Sequence, residues 1–259
     1  MSITMRTRKK HCAFLFFMAI SATVALYSCQ KDNVEPTTNQ PLDYALQVIP
    51  DIHEVMPMDL IKEMNNLGAL HFGDNPPKVF KTTATGDTVL GFSARVMEVV
   101  HYIQSDTTKL YVLDSGTIRP YTNYFRFHDQ HRGIAKYDFK CGYIDSGPDN
   151  YICETAHVFD SVFIMGSGNM FTAYLTQKRT KEHSSNYNPD KPGEREAVIL
   201  SGEVTSSGIK NFYFGMKIKS YDNPADAGIN YPNINDIAIF KSSENILPFS
   251  YWDPYQYNN

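Results

Sequence analysis

Strict alternation of apolar and polar side chains constrains the fold of this chain more than any other feature. From Ile209 to Ser220, large apolar residues recur at every second position, and polar or small residues fall between them. A period of two places each set on its own face of a β-strand. The apolar set is Phe212, Phe214, Met216 and Ile218, and the opposite set is Tyr213, Gly215, Lys217 and Lys219. The segment therefore predicts a strand with one buried and one solvated face.

Similar segments follow one another over most of the chain. The predicted strands are Val89–Val100, Tyr121–His128, Ile134–Lys140, His157–Met165, Met170–Gln177, Ala197–Thr205, Ile209–Ser220 and Ile234–Lys241. Two of the links between them, residues 166–169 and 206–208, have the glycine and serine content of hairpin turns. The order predicts an all-β fold, either an antiparallel barrel of the lipocalin or calycin type or a sandwich. Both architectures give the same alternation.

One short helix is predicted before the strands. Pro57 and Asp59 favour a helix start, and Gly68 favours its end. The apolar stripe between them consists of Leu60, Ile61, Met64 and Leu67. The polar, aperiodic segment Lys178–Glu196 predicts a long mobile loop. We expect residues 44–259 to form a single β domain.

The N terminus has the organisation of a lipoprotein signal peptide. Four basic residues, all within the first ten positions, precede the apolar run Ala13–Leu26. That run is too short for a comfortable bilayer span. The sequence Leu26-Tyr27-Ser28-Cys29 then resembles a lipobox. We therefore expect residues 1–28 to be removed, and Cys29 to carry acyl chains such as palmitate that anchor the protein in a membrane.

The residues after the cleavage site predict a tether and a surface location. Residues 30–33 (QKDN) resemble the short export tag of surface lipoproteins from Bacteroidetes-type bacteria, although a polar spacer is the alternative. Residues 29–43 are poor in apolar side chains and predict a flexible tether. We expect a location at the outer membrane, lipid-anchored and exposed at the cell surface.

The charge of the mature chain excludes a nucleic-acid partner. Residues 1–28 contain four of the 24 basic side chains and none of the 28 acidic ones, so the mature chain has a net charge of −8. Nucleic-acid binding requires a basic surface. Cys141 and Cys153 remain after cleavage, in an exported setting where a disulfide can form. Two buried free thiols are the alternative.

Three motifs support a family resemblance. They are Gly73–Pro77 (GDNPP), Gly166–Thr172 (GSGNMFT) and Leu200–Ile209 (LSGEVTSSGI). Together they resemble an uncharacterised family of Bacteroidetes surface lipoproteins, over roughly residues 55–240. The resemblance implies a lipid-anchored surface protein with one domain, and it implies no activity. The order of short helix, proline-rich turn and successive strands is also similar to lipocalin-like barrels.

No intact catalytic motif is present, and no motif calls for a cofactor. The start of a zinc-protease motif at His53-Glu54 fails because Pro57 stands where the second histidine is needed. His128 and His131 are candidate metal ligands, with His101 or His157 as a third, and a solvated turn is the alternative. Aromatic rings are the remaining signal. Phe212, Phe214 and Trp252 are candidate ligand-facing rings, and core packing is the alternative.

These observations lead to three functional hypotheses. The first is a non-catalytic binding or accessory lipoprotein, with a small apolar molecule or a glycan as its ligand. If an apolar ligand binds inside a barrel, inward rings such as Phe212 and Phe214 should line the pocket. The second is a hydrolase acting on glycans or lipids, which requires a cleft where carboxylates or histidines converge. The third is a structural or adhesive surface component that uses a flat face or the Lys178–Glu196 segment.

Overall fold

The fold is all-β, with a nearly closed barrel of nine antiparallel strands and one short helix. The computed structural model describes residues 56–82, 84–86, 89–94, 97–105, 115–119, 121–143, 153–158, 162–182, 193–223, 234–242 and 246–249. All of them belong to one compact unit that spans Pro41–Asn259. The predicted signal peptide, Cys29 and the tether lie outside the described residues, as does Trp252. No helix among the described residues is long and apolar enough to cross a bilayer.

The helix and the strands follow the predicted order, but the structure divides each of the predicted strands Val89–Val100 and His157–Met165 into two. They are α1 (Met58–Asn66), β1 (Lys81–Thr82), β2 (Val89–Ala94), β3 (Met97–Ile103), β4 (Ile118–Arg119), β5 (Tyr121–His131), β6 (Ile134–Tyr143), β7 (Cys153–Val158), β8 (Val162–Ser167), β9 (Met170–Glu182), β10 (Glu194–Val204), β11 (Ile209–Tyr221), β12 (Ile237–Ser242) and β13 (Leu247–Phe249).

Hydrogen-bonded pairing arranges nine of these strands around the barrel. The order is β2-β5-β6-β7-β9-β10-β11-β12-β3, and every pair is antiparallel. The first and last strands of this order, β2 and β3, are consecutive in the chain, with only residues 95–96 between them. This passage from one strand to the next brings the two ends of the sheet together. Of the two predicted architectures, the barrel is therefore confirmed and the sandwich is wrong.

The barrel encloses the main core. Alternate side chains of β5, β6, β9, β10 and β11 point inward and form one apolar cluster. Aromatic rings dominate it: Phe92 lies against Phe125, and Phe125 stacks on Phe212 with ring centroids 4.9 Å apart. Burying each large side chain of this kind contributes about 1.5–3 kcal/mol to stability.

Helix α1 packs on the outside of the barrel. Its buried residues Leu60, Ile61 and Met64 join a second cluster with the outward side chains of β10 and β12, among them Ile199 and Ile239. The prediction of a short helix ending at Gly68 is confirmed. Gly68 has a positive φ of 64°, which glycine adopts without strain.

Two polar contacts join α1 to the barrel. Lys217 of β11 donates a hydrogen bond to the carboxylate of Asp59. His101 Nε2 on β3 lies 3.1 Å from Glu63 Oε2. The helix is therefore fixed to the barrel both by its apolar stripe and at its polar flanks.

The prediction of a loop over Lys178–Glu196 is wrong at both ends. β9 continues to Glu182, and β10 begins at Glu194. The polar residues of these strand ends are buried because they have polar partners. The Lys178 ammonium lies 2.6 Å from Asp222, and Gln177 donates a 2.6 Å hydrogen bond to Glu196. Residues 183–192 lie outside the described residues.

Candidate functional site

The inner surface of the barrel changes from apolar to polar along two neighbouring strands. On β9 the inward residues Phe171, Ala173 and Leu175 are followed by Gln177. On β10 the corresponding series runs from Leu200 and Val198 to Glu196 and then Glu194. All these residues are buried. One end of the interior is therefore filled with apolar side chains, and the other end is polar.

Three of the inward polar side chains lie at one level of the barrel. Register pairing places Gln177 opposite Glu196, and Val158 opposite Gln177. β7 also pairs with β6, where Asp138 lies opposite His157. Because the two strands are antiparallel, Tyr137, one residue before Asp138, lies opposite Val158, one residue after His157. We call Tyr137, Gln177 and Glu196 the polar row. Its members are 4%, 1% and 1% exposed, respectively.

The Tyr137 hydroxyl and the amide oxygen of Gln177 have no hydrogen-bond partner among the described residues. Gln177 Nε2 donates to Glu196 Oε2 at 2.6 Å, but the amide oxygen Gln177 Oε1 accepts no hydrogen bond. The hydroxyl of Tyr137 is likewise fully buried and unpartnered. A buried polar atom without a partner costs about 1–3 kcal/mol. Such groups are rare in folded proteins, and their presence calls for an explanation.

The carboxylate of Glu196 affects the pKa of the Tyr137 hydroxyl. Burial raises the pKa of Tyr137 well above its usual value, and the nearby carboxylates of Glu196 and Asp138 raise it further. The hydroxyl therefore stays protonated and can both donate and accept a hydrogen bond. Its ring lies among other rings, 5.1 Å from Phe127 and 6.4 Å from Phe139 between centroids.

A second buried tyrosine provides a contrast. Tyr174 is also fully buried with an unpartnered hydroxyl, but its side chain belongs to the outer cluster beneath α1. Burial alone raises its pKa, with no carboxylate contributing. Among the residues that the structure describes, only Tyr137 combines an unpartnered hydroxyl with polar neighbours inside the barrel.

Another buried acid, Asp236, is fully engaged by its surroundings. One carboxylate oxygen accepts a 2.6 Å hydrogen bond from the Tyr102 hydroxyl. The other accepts two from Ser105, one from the backbone N–H and one from the hydroxyl, both at 2.7 Å. The fold can therefore satisfy a buried polar group completely where its role is structural.

The polar end of the interior is also where the strands have long connections. At this end β6 joins β7 through residues 144–152, β9 joins β10 through 183–193, and β11 joins β12 through 222–236. The opposite end has short turns at residues 132–133, 168–169 and 205–208. Ligand sites of barrels lie preferentially at the mouth, and binding residues are often carried by long connections.

The predicted ligand-facing rings have a different environment. Phe212 and Phe214 do point into the barrel, and both are buried. However, Phe212 stacks on Phe125, and Phe214 stacks on Phe139 at 5.9 Å between centroids. We assign these two rings to the core.

Of the predicted metal ligands, His128 and His131 lie near the end of β5 and His101 contacts Glu63, and the side chain of His157 lies outside the described part of the structure. His128 Nε2 lies 3.3 Å from Asp138 Oδ2, and His128 Nδ1 lies 3.3 Å from Asp129 Oδ2, so carboxylates engage both ring nitrogens. His131 is exposed at the end of β5. Within the described ranges no group of three or more His, Cys, Asp or Glu side chains is placed to hold a metal ion. On the same surface Arg126 Nη2 lies 2.5 Å from Asp138 Oδ2, so that Asp138 contacts both Arg126 and His128.

The two remaining cysteines lie on neighbouring strands. Cys141 pairs with Glu154 across β6 and β7, and Cys153 pairs with Gly142, so they are offset by one position. Their side chains lie outside the described part of the structure. The disulfide stays a prediction, as does acylation of Cys29.

The three sequence motifs meet at the end of the barrel opposite the polar row. The backbone N–H of Gly166 donates to Gly73 O at 3.1 Å, and the N–H of Val204 donates to Asn169 O at 2.8 Å. A methyl group added to Gly73 would lie 2.5 Å from Gly166 O. The glycines of two of these motifs thus allow a close backbone contact. They do not coincide with the polar row.

The chain matches no protein-family model, no curated protein and no solved structure. The resemblance to surface lipoproteins therefore stays a prediction based on its motifs. The polar row escaped the sequence analysis, although Gln177 and Glu196 stand in phase with the inward residues Leu175 and Val198. Following the period of two beyond the last apolar residue would have found both of them.

Proposed function

We propose that this protein is a non-catalytic, lipid-anchored surface lipoprotein that binds a small ligand at the polar row inside its barrel. The anchor rests on the basic N terminus, the short apolar run and Cys29. Binding rests on one observation, the unpartnered atoms Tyr137 Oη and Gln177 Oε1 within a single level of the interior. A ligand that hydrogen-bonds these atoms would offset their cost.

The site favours binding over catalysis. The candidates for acid–base or metal chemistry on the outer face, His128 and its neighbours, are engaged with one another in ion pairs. The polar row is inside the barrel, where its atoms can orient a bound molecule. A small number of precisely placed polar groups on an apolar wall is typical of ligand-binding sites.

Native mass spectrometry of the mature protein, extracted from the membrane of its own host, tests this proposal. We expect a fraction of the wild-type protein to carry a small non-covalent adduct. Tyr137→Phe should lose that adduct, because it removes one of the two unpartnered groups.

Tyr174→Phe is the matched control. It removes an equally buried, unpartnered hydroxyl from the outer side of the same barrel. It should therefore keep the adduct. An adduct that survives Tyr137→Phe, or a wild-type chain without any adduct, contradicts binding at the polar row.

A further inference from the structure

We draw no further inference here: the strongest candidate, the side-chain cluster of His71, Thr172 and Glu203 where the segment after α1 crosses β9 and β10, rests on the pKa of His71, which burial lowers, and no contact among the described residues points to a ligand or partner that the cluster would bind.

Discussion

At the scale of single residues, the proposed binding site depends on a tyrosine hydroxyl that stability alone does not explain. Tyr137 holds its hydroxyl in the barrel interior without a partner, and Tyr174 does so beneath α1. An unsatisfied group of this kind destabilises the protein, so that its removal is neutral or favourable. Natural proteins keep such costs mainly at functional sites.

We expect Tyr137→Phe to raise the free energy of unfolding by roughly 1 kcal/mol, because phenylalanine keeps the ring and removes the desolvated hydroxyl. Denaturant titration of the full chain measures this change, and Tyr174→Phe should behave in the same way. A loss of stability of about 1 kcal/mol or more in Tyr137→Phe would show that the hydroxyl has a partner in the protein.

His128, on the outer face of the barrel, makes a pH-dependent contribution to the stability of the fold. Its hydrogen bond to Asp138 raises the pKa of His128, and burial opposes this in part. Because the folded-state pKa is raised, the stabilisation is fully present below the unfolded value of 6.5 and is lost as pH rises through the folded value. The half-exposed position limits it to under about 1 kcal/mol.

An NMR titration of the His128 ring tests this contribution. We expect a pKa above 6.5 in the wild type and a lower pKa in Asp138→Asn, which removes the main hydrogen-bonding charge. His131, exposed on the same strand, provides an internal reference in each spectrum. A His128 pKa that does not change in the variant would contradict the assigned cause.

At the scale of elements, alternation in the sequence predicted which faces are buried. The inward positions of β11 are the apolar set read from residues 209–220, and α1 ends where Gly68 predicted. Polar strand ends were harder to predict. Lys178 and Glu196 have loop-like character by composition. Their burial depends on partners distant in sequence, Asp222 just after β11 for Lys178 and Gln177 on β9 for Glu196.

The backbone contact between Gly73 and Gly166 is expected to stabilise the segment that joins α1 to the sheet. Gly73→Ala should lower the free energy of unfolding by about 2 kcal/mol or more, because the added methyl group meets a backbone oxygen at a positive φ. Chemical denaturation measures the loss.

Gly68→Ala is the control for the backbone conformation alone. Gly68 also has a positive φ, but no atom lies within 4 Å of an added methyl group. We expect a smaller loss, about 1 kcal/mol. Equal losses in the two variants would show that the contact between Gly73 and Gly166 adds nothing.

At the scale of the whole molecule, the sequence could predict the strands but not their closure. The alternation is the same for a barrel and a sandwich, and the passage from β2 to β3 lies within the single predicted strand Val89–Val100. The inward direction of Gln177 and Glu196 follows from the period of two, but their meeting with Tyr137 could not be predicted. Tyr137 and Glu196 are distant in sequence, and only the register across β7 and β9 places them at one level.

Membrane anchoring is expected to depend on Cys29 alone. In its native host the protein should begin at Cys29 and carry the additional mass of acyl chains, which intact mass spectrometry detects. Cys29→Ala should lose that mass and leave the membrane fraction, because the other residues of the tether give no hydrophobic anchor. A wild-type protein that is cleaved elsewhere, without added mass, would contradict the proposed anchor.

A high-resolution crystal structure of the mature protein purified from its host tests binding at the polar row. We expect non-protein density inside the barrel, within hydrogen-bonding distance of both Tyr137 Oη and Gln177 Oε1. Density that fits a small organic molecule would place the ligand at the polar row. If protein side chains or a single water satisfy both atoms, the polar row is part of the packed core and the proposed binding site is wrong.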